Sequence, residues 1–142
     1  MTDNSTAVFD PAADGWTAVT GGSFMRMVGP VWRKGFGHEV RFGLLPEAKH
    51  GNHRNIVHGG MLMTLADYGL GSYMSEITGN QHQVTIQLDV QFNSGAVLGE
   101  FLEVKSEVTR QTSQLYFLRG LIMAGERVVV SASGIWKSVR PL

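Results

Sequence analysis

Apolar and polar residues alternate strictly through residues 84–92, with the period that a half-buried β-strand produces. Residues 102–109 repeat this alternation, and residues 115–123 are apolar on both faces, as in the interior of a sheet. Residues 127–137 follow after a glycine turn. The pattern predicts four long strands in succession as a meander, the first two forming an antiparallel pair through a turn at residues 95–99.

The N-terminal third of the chain carries weaker signals. Alternation over residues 40–44 predicts a strand that Pro46 ends, and we expect a shorter strand within residues 24–32. The first fifteen residues lack periodicity. We therefore expect a flexible N-terminal arm over residues 1–22, followed by a single domain over residues 23–142.

One segment, residues 59–77, predicts a long helix that stops at Gly79 and Asn80. It is apolar nearly all round, so other elements must cover most of its sides. A curled antiparallel sheet wrapped around this helix satisfies that need, which gives an α+β fold. Gly69 and Gly71 each weaken the helix by roughly 1 kcal/mol relative to alanine. We expect a close neighbour there, with a second helix as the candidate.

Composition narrows the function. The chain has 142 residues, 43% of them apolar, and 12 basic residues against 12 acidic ones, so no overall basic field would attract nucleic acid. The absence of cysteine excludes disulfides, thiolate metal sites and cysteine nucleophiles. The polar, acidic N-terminus does not resemble a signal peptide, and no apolar run reaches the length of a membrane span. These features predict a cytoplasmic protein without membrane or nucleic-acid partners.

Candidate chemistry is concentrated at the start of the long helix. Gly59 and Gly60 leave backbone N–H groups unshielded at the positive end of the helix dipole, where an oxyanion could bind. Asp67 interrupts an apolar run, where an unpaired carboxylate is costly. A carboxylate acting as general base or nucleophile, with donors for an oxyanion, is a minimal set for acyl transfer without a cofactor or metal.

The spacing of these groups predicts a dimer. Gly60 and Asp67 are seven residues apart, hence on one helix face but separated by roughly 10 Å along the axis. A reacting carbonyl needs its nucleophile within about 3.5 Å and its oxyanion donors within hydrogen-bond reach. One site should therefore take its amides from one helix and its carboxylate from another, which two copies related by a twofold axis would supply.

Residues 52–67 resemble the signature of the PaaI-like (phenylacetic-acid-degradation type) hotdog thioesterases. The matching features are Asn52 six residues before His58, the sequence His58-Gly59-Gly60, and Asp67 seven residues after Gly60. The resemblance extends over residues 31–137. It implies a hotdog fold and acyl-CoA thioesterase activity.

The resemblance also implies residue roles. Asp67 would be the nucleophile or general base, and Gly59 of the partner subunit would donate its amide to the thioester oxygen. Asn52 would hold the carbonyl or the attacking water from the side of Gly59, and Thr85 would contact that water from the side of Asp67. His58 would mainly fix the turn.

Further substrate contacts are expected from residues around the helix start, namely His58, Gly60, Thr64 and Arg54. A local surplus of His50, His53 and Arg54 near the site mouth could meet CoA phosphates.

Asn55 stands where relatives commonly have glycine, and asparagine tolerates the left-handed conformation that such a turn needs. Related proteins often pair dimers into tetramers.

Several alternatives remain open on the sequence alone. A glycine pair at a helix start is often only a tight turn, and Asp67 could be a structural carboxylate bonded to Thr64 or Tyr68. The loop histidines could suggest a metal site, although nothing accompanies them that would orient metal ligands. The domain could bind acyl-CoA without hydrolysing it, or act as a dehydratase that uses His58 with Asp67. The acyl group and its carrier, CoA or acyl-carrier protein, are not specified.

Overall fold

The computed structural model describes residues 8–79 and 82–140, which form one antiparallel sheet and two α-helices. The sheet order is β1-β2-β3-β5-β6-β7-β4. The helices are α1 (Ser23–Val28) and α2 (Gly59–Thr78), and single turns of 3-10 helix lie at Gly37–Glu39 and Ala48–His50. The strands are β1 (Thr17–Val19), β2 (Val31–Lys34), β3 (Arg41–Leu44), β4 (Gln83–Phe92), β5 (Leu102–Gln111), β6 (Leu115–Ala124) and β7 (Arg127–Ser138).

Helix α2 is the centre of the domain, and the sheet curls around it. It begins after His58 and ends at Gly79, which takes the left-handed conformation with φ 71° that favours glycine. Nine of its residues are buried, and they join the inward side chains of the sheet in one core. The predicted α+β class is confirmed, as is the helix to within one residue. Within the described ranges, no helix is long and apolar enough to cross a bilayer.

The two glycines within α2 lie where the sheet comes closest to the helix. A Cβ on Gly69 would lie 2.8 Å from a methyl carbon of Val104 on β5, and one on Gly71 would lie 3.1 Å from the indole nitrogen of Trp136 on β7. The predicted close approach is confirmed. The predicted second helix is wrong, because the sheet occupies that position.

The long strands form at the predicted residues, but the predicted pairing of the first two is wrong. Strand β4 pairs with β7 at one edge of the sheet, whereas β5 lies between β3 and β6. Residues 93–101 between β4 and β5 are too many for a tight hairpin. They instead hydrogen-bond to the segment before α2, through the Val57 amide and the Ala96 carbonyl at 2.8 Å. Of the four long strands, β5, β6 and β7 form a meander, and β4 does not precede them in it.

The N-terminal region contains more structure than its sequence predicts. The expected strand within residues 24–32 is instead α1 followed by β2. Met25 and Val28, three residues apart, pack against the core from one side of α1, and this tertiary contact favours a helix over a strand. Part of the expected arm, residues 17–19, pairs with β2 as β1, and Trp16 beside it is buried. Residues 1–7 of that arm lie outside the described residues.

Glu76, near the end of α2, ties the turn before β3 to the helix. Its carboxylate accepts a hydrogen bond of 3.0 Å from the Gly37 amide and pairs with Arg33 on β2 at 3.1 Å. The amide contact, with help from the guanidinium, holds the pKa of Glu76 below its usual range. The charged form of Glu76 therefore stabilises the folded state.

We expect Glu76→Gln to lower the free energy of unfolding by roughly 0.5–1 kcal/mol at neutral pH. Because the folded pKa is depressed, this contribution is present above the unfolded pKa of about 4.3 and disappears as pH falls through the folded value. Urea unfolding from about pH 7 to about pH 3 measures the difference. The matched control is Glu126→Gln, at an exposed carboxylate in the turn before β7. A difference between Glu76→Gln and wild type that stays constant with pH would contradict this assignment.

Candidate active site

The segment before α2 is a tight loop held by Asn52. Its side-chain oxygen accepts hydrogen bonds from the Arg54 backbone amide at 2.8 Å and the Ile56 backbone amide at 3.4 Å. The backbone amide of Asn52 donates to the Ile56 carbonyl. Asn55 takes the left-handed conformation, with φ 58°. The expectation for this non-glycine residue is confirmed. Because the side-chain oxygen of Asn52 is bonded within the loop, the side-chain amide nitrogen of Asn52 is the group that can contact a ligand, as a donor.

His58 caps the start of α2 and leaves one amide uncommitted. Its Nδ1 accepts a hydrogen bond of 2.8 Å from the Gly60 amide, and its carbonyl accepts from the amides of Met61 and Leu62. Of the first four amides of the helix, only that of Gly59 lacks an acceptor among the described residues. A free N–H at the positive end of a helix is suited to binding negative charge.

His50 holds the residue that caps α2, His58, in place. It is buried, its Nδ1 accepts from the Glu47 amide at 2.9 Å, and its other ring nitrogen contacts the Val28 carbonyl at the end of α1. Its backbone carbonyl accepts from the His58 amide at 2.8 Å. His50 is therefore a structural residue, and the expectation that it meets CoA phosphates is wrong. His53 and Arg54 are exposed.

A second loop, residues 93–101, braces the Asn52 loop through backbone pairing of Val57 and Ile56. An ion pair of 2.7 Å between Arg127 and Glu100 fixes it, and the Arg127 guanidinium also donates to the Gly95 carbonyl. The hydrogen bond from Arg127 lowers the pKa of Glu100. The alternation pattern gave no sign of this pair, because Glu100 lies in a loop and Arg127 is a polar position at the start of β7.

Asp67 is half-buried and lies in a small cavity on the side of α2 that faces the start of β4. The Thr85 hydroxyl donates a hydrogen bond of 2.7 Å to Asp67 Oδ1. This carboxylate cavity has a volume of about 180 Å³, and its lining includes Tyr68, Ser72 and Gln83. Burial raises the pKa of Tyr68, so its phenol stays protonated and able to donate at neutral pH.

The hydroxyls of Thr64 and Tyr68, which could have bonded Asp67 as a structural carboxylate, have other partners. Thr64 donates to the Gly60 carbonyl at 2.9 Å, and the hydroxyl of Tyr68 interacts with Ser72. Among the described residues, Thr85 is the hydrogen-bond partner of Asp67, and it contacts one oxygen. The second carboxylate oxygen can therefore meet a ligand or water.

A β-bulge in β4 explains why Thr85 faces the helix. Thr85 pairs with Trp136 and Gln87 with Ile135, so Ile86 is an extra residue on β4. Before the bulge the odd-numbered Gln83 and Thr85 contact α2, whereas after it the even-numbered Leu88 and Val90 pack on the core. We expected β4 to turn the same alternate residues towards the core along its whole length. This expectation is correct only for the second half of the strand.

Gln83 is a site-forming residue that the sequence reasoning missed. Its amide nitrogen donates to the Gly71 carbonyl and to the Ser75 hydroxyl, the latter at 2.7 Å. Asp67, Gly71 and Ser75 are spaced four residues apart and so form one row along α2, opposite Thr85 and Gln83. The row was a readable signal, since its three positions recur at the four-residue spacing that places side chains on one side of a helix.

The free Gly59 amide and the Asp67 carboxylate do not meet within one chain. Eight residues of helix separate them, which is about 12 Å along the axis. The neighbours of Gly59 and Asp67 itself also line different cavities. His58, Gly60 and Thr64 line a cavity of about 590 Å³, here called the helix-start cavity, whereas Asp67 and Thr85 line the carboxylate cavity.

Metal binding has no support from geometry in the described ranges. No group of three or more histidine, aspartate or glutamate side chains there could hold an ion. Both ring nitrogens of His50 contact backbone atoms, and His58 Nδ1 caps α2. These histidines act through the backbone.

Comparisons with known proteins place this chain in a family. Residues 54–131 match the family model described as the thioesterase superfamily. A Pseudomonas aeruginosa protein named "Putative esterase PA0474" is 36% identical over 112 residues, which cover 78% of this chain and 84% of the relative.

Two solved structures share the fold at low identity. A variant of the phenylacetic acid degradation protein PaaI from Thermus thermophilus superposes with a TM-score of 0.73 at 16% identity, over 82% of this chain and 98% of that one. A Bacillus halodurans protein crystallised with CoA gives a TM-score of 0.66 at 21% identity, over 72% and 69% of the two chains.

The family model spans more than half of the sequence, and the curated relative matches most of it. The architecture, a curled sheet around one long helix, is that of the solved hotdog proteins. The chain therefore belongs to the thioesterase superfamily.

Proposed function

We propose that this protein is an acyl-CoA thioesterase that works as a homodimer, with each active site shared between two subunits. Gly59 of one subunit would bind the thioester oxygen, and Asp67 of the other would act on the thioester carbonyl. The observation that carries the proposal is the free Gly59 amide and the exposed oxygen of Asp67, on one helix but about 12 Å apart. A second α2 beside the first is needed to bring the two groups together.

The edge strand β4 offers a way to form that dimer. It is ten residues long and, among the described strands, pairs with β7 alone. Val84, Ile86 and Phe92 on it are exposed by 44%, 54% and 54%. A long apolar edge strand is a template for pairing with another chain. Antiparallel pairing of β4 with its copy about a twofold axis would continue the sheet and set the two α2 helices side by side.

The residues in each half-site have complementary roles. The Gly59 amide and the Asn52 amide nitrogen would stabilise negative charge on the carbonyl oxygen as the tetrahedral intermediate forms. Asp67 would either attack the carbonyl, giving a mixed anhydride and releasing the CoA thiolate, or remove a proton from an attacking water. Thr85 would hold Asp67 in place through Oδ1, leaving the other oxygen for the reaction.

The neighbouring residues would shape the substrate entrance. The Gly60 amide is committed to His58, so Gly60 would contribute through the lack of a side chain. Thr64, whose hydroxyl is bonded within the helix, would present its methyl group to the helix-start cavity. Arg54 is exposed in the Asn52 loop and would meet a CoA phosphate. The CoA bound in the Bacillus halodurans neighbour supports a CoA thioester as substrate.

We expect Asp67→Asn to lower kcat for acyl-CoA hydrolysis by roughly 10²–10⁴-fold, because the amide can neither attack nor take a proton. Thermal unfolding should change little, since Asp67 is only half-buried. The matched control is Asp10→Asn, the same change at an exposed position ahead of β1, which should keep full activity. Equal rates for Asp67→Asn and wild type would refute the catalytic role. If the wild type binds acyl-CoA without hydrolysing it, the protein is a binding module and not an enzyme.

The Gly59 amide can be removed without disturbing the helix. Proline is favoured at the first helical position, and the extended His58, with ψ 135°, is compatible with a following proline. We expect Gly59→Pro to reduce kcat by roughly 10²–10³-fold, as loss of an oxyanion donor does. Gly59→Ala keeps the amide and adds a Cβ at 3.4 Å from the Phe92 ring, so it should stay close to wild type. Equal losses in the two variants would show that the amide is not the cause.

Mixing the two inactive variants tests whether the site is shared. In a heterodimer of Gly59→Pro and Asp67→Asn subunits, one site contains both intact groups and the other contains neither. Unfolding and refolding an equimolar mixture should therefore restore about a quarter of wild-type activity, since half of the dimers are mixed. Recovery no greater than the sum of the separate variants would place both groups in one subunit.

A further inference from the structure

Helix α1 has two faces with different environments. Met25 and Val28 pack against the core, but Phe24 and Met27 are exposed by 59% and 73%. None of its residues is fully buried. Large apolar side chains exposed together on one short element are a common mark of a binding surface.

The exposed face of α1 lines the helix-start cavity. Phe24, Met27 and Val28 form one wall, and Met61 of α2 adds to it. The cavity volume of about 590 Å³ lies within the range of about 300–1,000 Å³ that suits small organic ligands. His58 and Gly60 line the same cavity, so the apolar wall is continuous with the start of α2.

The one basic side chain that lines this cavity, Lys49, does not make it a site for an acidic group. Lys49 pairs with Glu47 at 3.6 Å, and its side chain is 46% exposed. A half-exposed and already paired cation lies at the rim, where water screens it. The side of the cavity that α1 forms, with Phe24, Met27 and Val28, is apolar, so a group placed against it gains most when it is uncharged.

We infer that the acyl group of the substrate packs against Phe24 and Met27 of α1, and that this helix selects uncharged acyl groups of medium length over acetyl and over carboxylated acyl groups. The inference rests on the proposed function, because it takes the thioester carbonyl to lie at Gly59. His50 is the positioning residue for this wall, since its ring contacts the Val28 carbonyl while its backbone holds His58. His50 therefore contacts both α1, which forms the apolar wall, and the residue before the Gly59 amide.

The test compares kcat/KM for acetyl-, butanoyl-, octanoyl- and succinyl-CoA. Wild type should prefer octanoyl-CoA over acetyl- and succinyl-CoA. Phe24→Ala and Met27→Ala should each lower the octanoyl-to-acetyl ratio by roughly tenfold, within the range for losing a few methylene contacts, while the acetyl rate stays within about twofold. Met27→Leu, of similar volume, should retain the wild-type ratio.

Phe36→Ala is the matched control, because Phe36 is also an exposed phenylalanine, 81% accessible, but lies outside the cavity. The inference is overturned if octanoyl and acetyl rates fall equally in the α1 variants, if Phe36→Ala has the same effect, or if wild type prefers succinyl-CoA. Failure of the proposed function is distinguishable, because wild type would then hydrolyse none of the thioesters. In that case calorimetric titration with octanoyl-CoA decides: weaker binding by Met27→Ala supports the α1 wall, and unchanged binding overturns it.

Discussion

A rigid helix fixes the distance between the two groups on which the proposed chemistry depends. The Gly59 amide opens α2 and Asp67 lies a little over two turns later, and the sheet surrounding the helix prevents it from bending to bring them together. The separation of about 12 Å is therefore a property of the α-helix itself. A fold with one central helix can supply each half of such a site but cannot complete it alone, which ties the proposed activity to association of two chains.

The start of α2 is held by a network that reaches well beyond the glycine pair. His58 caps the helix with its side chain, His50 holds the His58 backbone, and the loop of residues 93–101 holds Val57. The Arg127 and Glu100 pair fixes that loop in turn. These contacts give acceptors to the amides of Val57, His58 and Gly60, whereas the Gly59 amide has none among the described residues and is the donor left for a ligand.

Periodicity predicted the elements whose burial follows a regular repeat. Strands β4 and β5 were found by strict alternation, β6 as a run that is apolar on both faces, and the long helix as a segment that is apolar nearly all round. Helix α1 was missed since six residues are too few to establish a period, and its fold depends on packing by Met25 and Val28. The pairing of β4 with β7 was missed because alternation specifies a face but not a neighbour. At the site, the Asn52, His58 and Asp67 spacing was informative, whereas Gln83 and the Arg127 pair act through contacts between distant parts of the chain.

The extra residue in β4 has a consequence for how this strand can change over evolution. Ile86 separates a half whose odd positions meet the helix from a half whose even positions do. Its deletion would restore a continuous ladder and turn either Thr85 and Gln83, or Leu88 and Val90, away from α2. Replacing Ile86 by another residue leaves that phase intact. The strand can therefore vary in sequence at this point far more freely than it can vary in length.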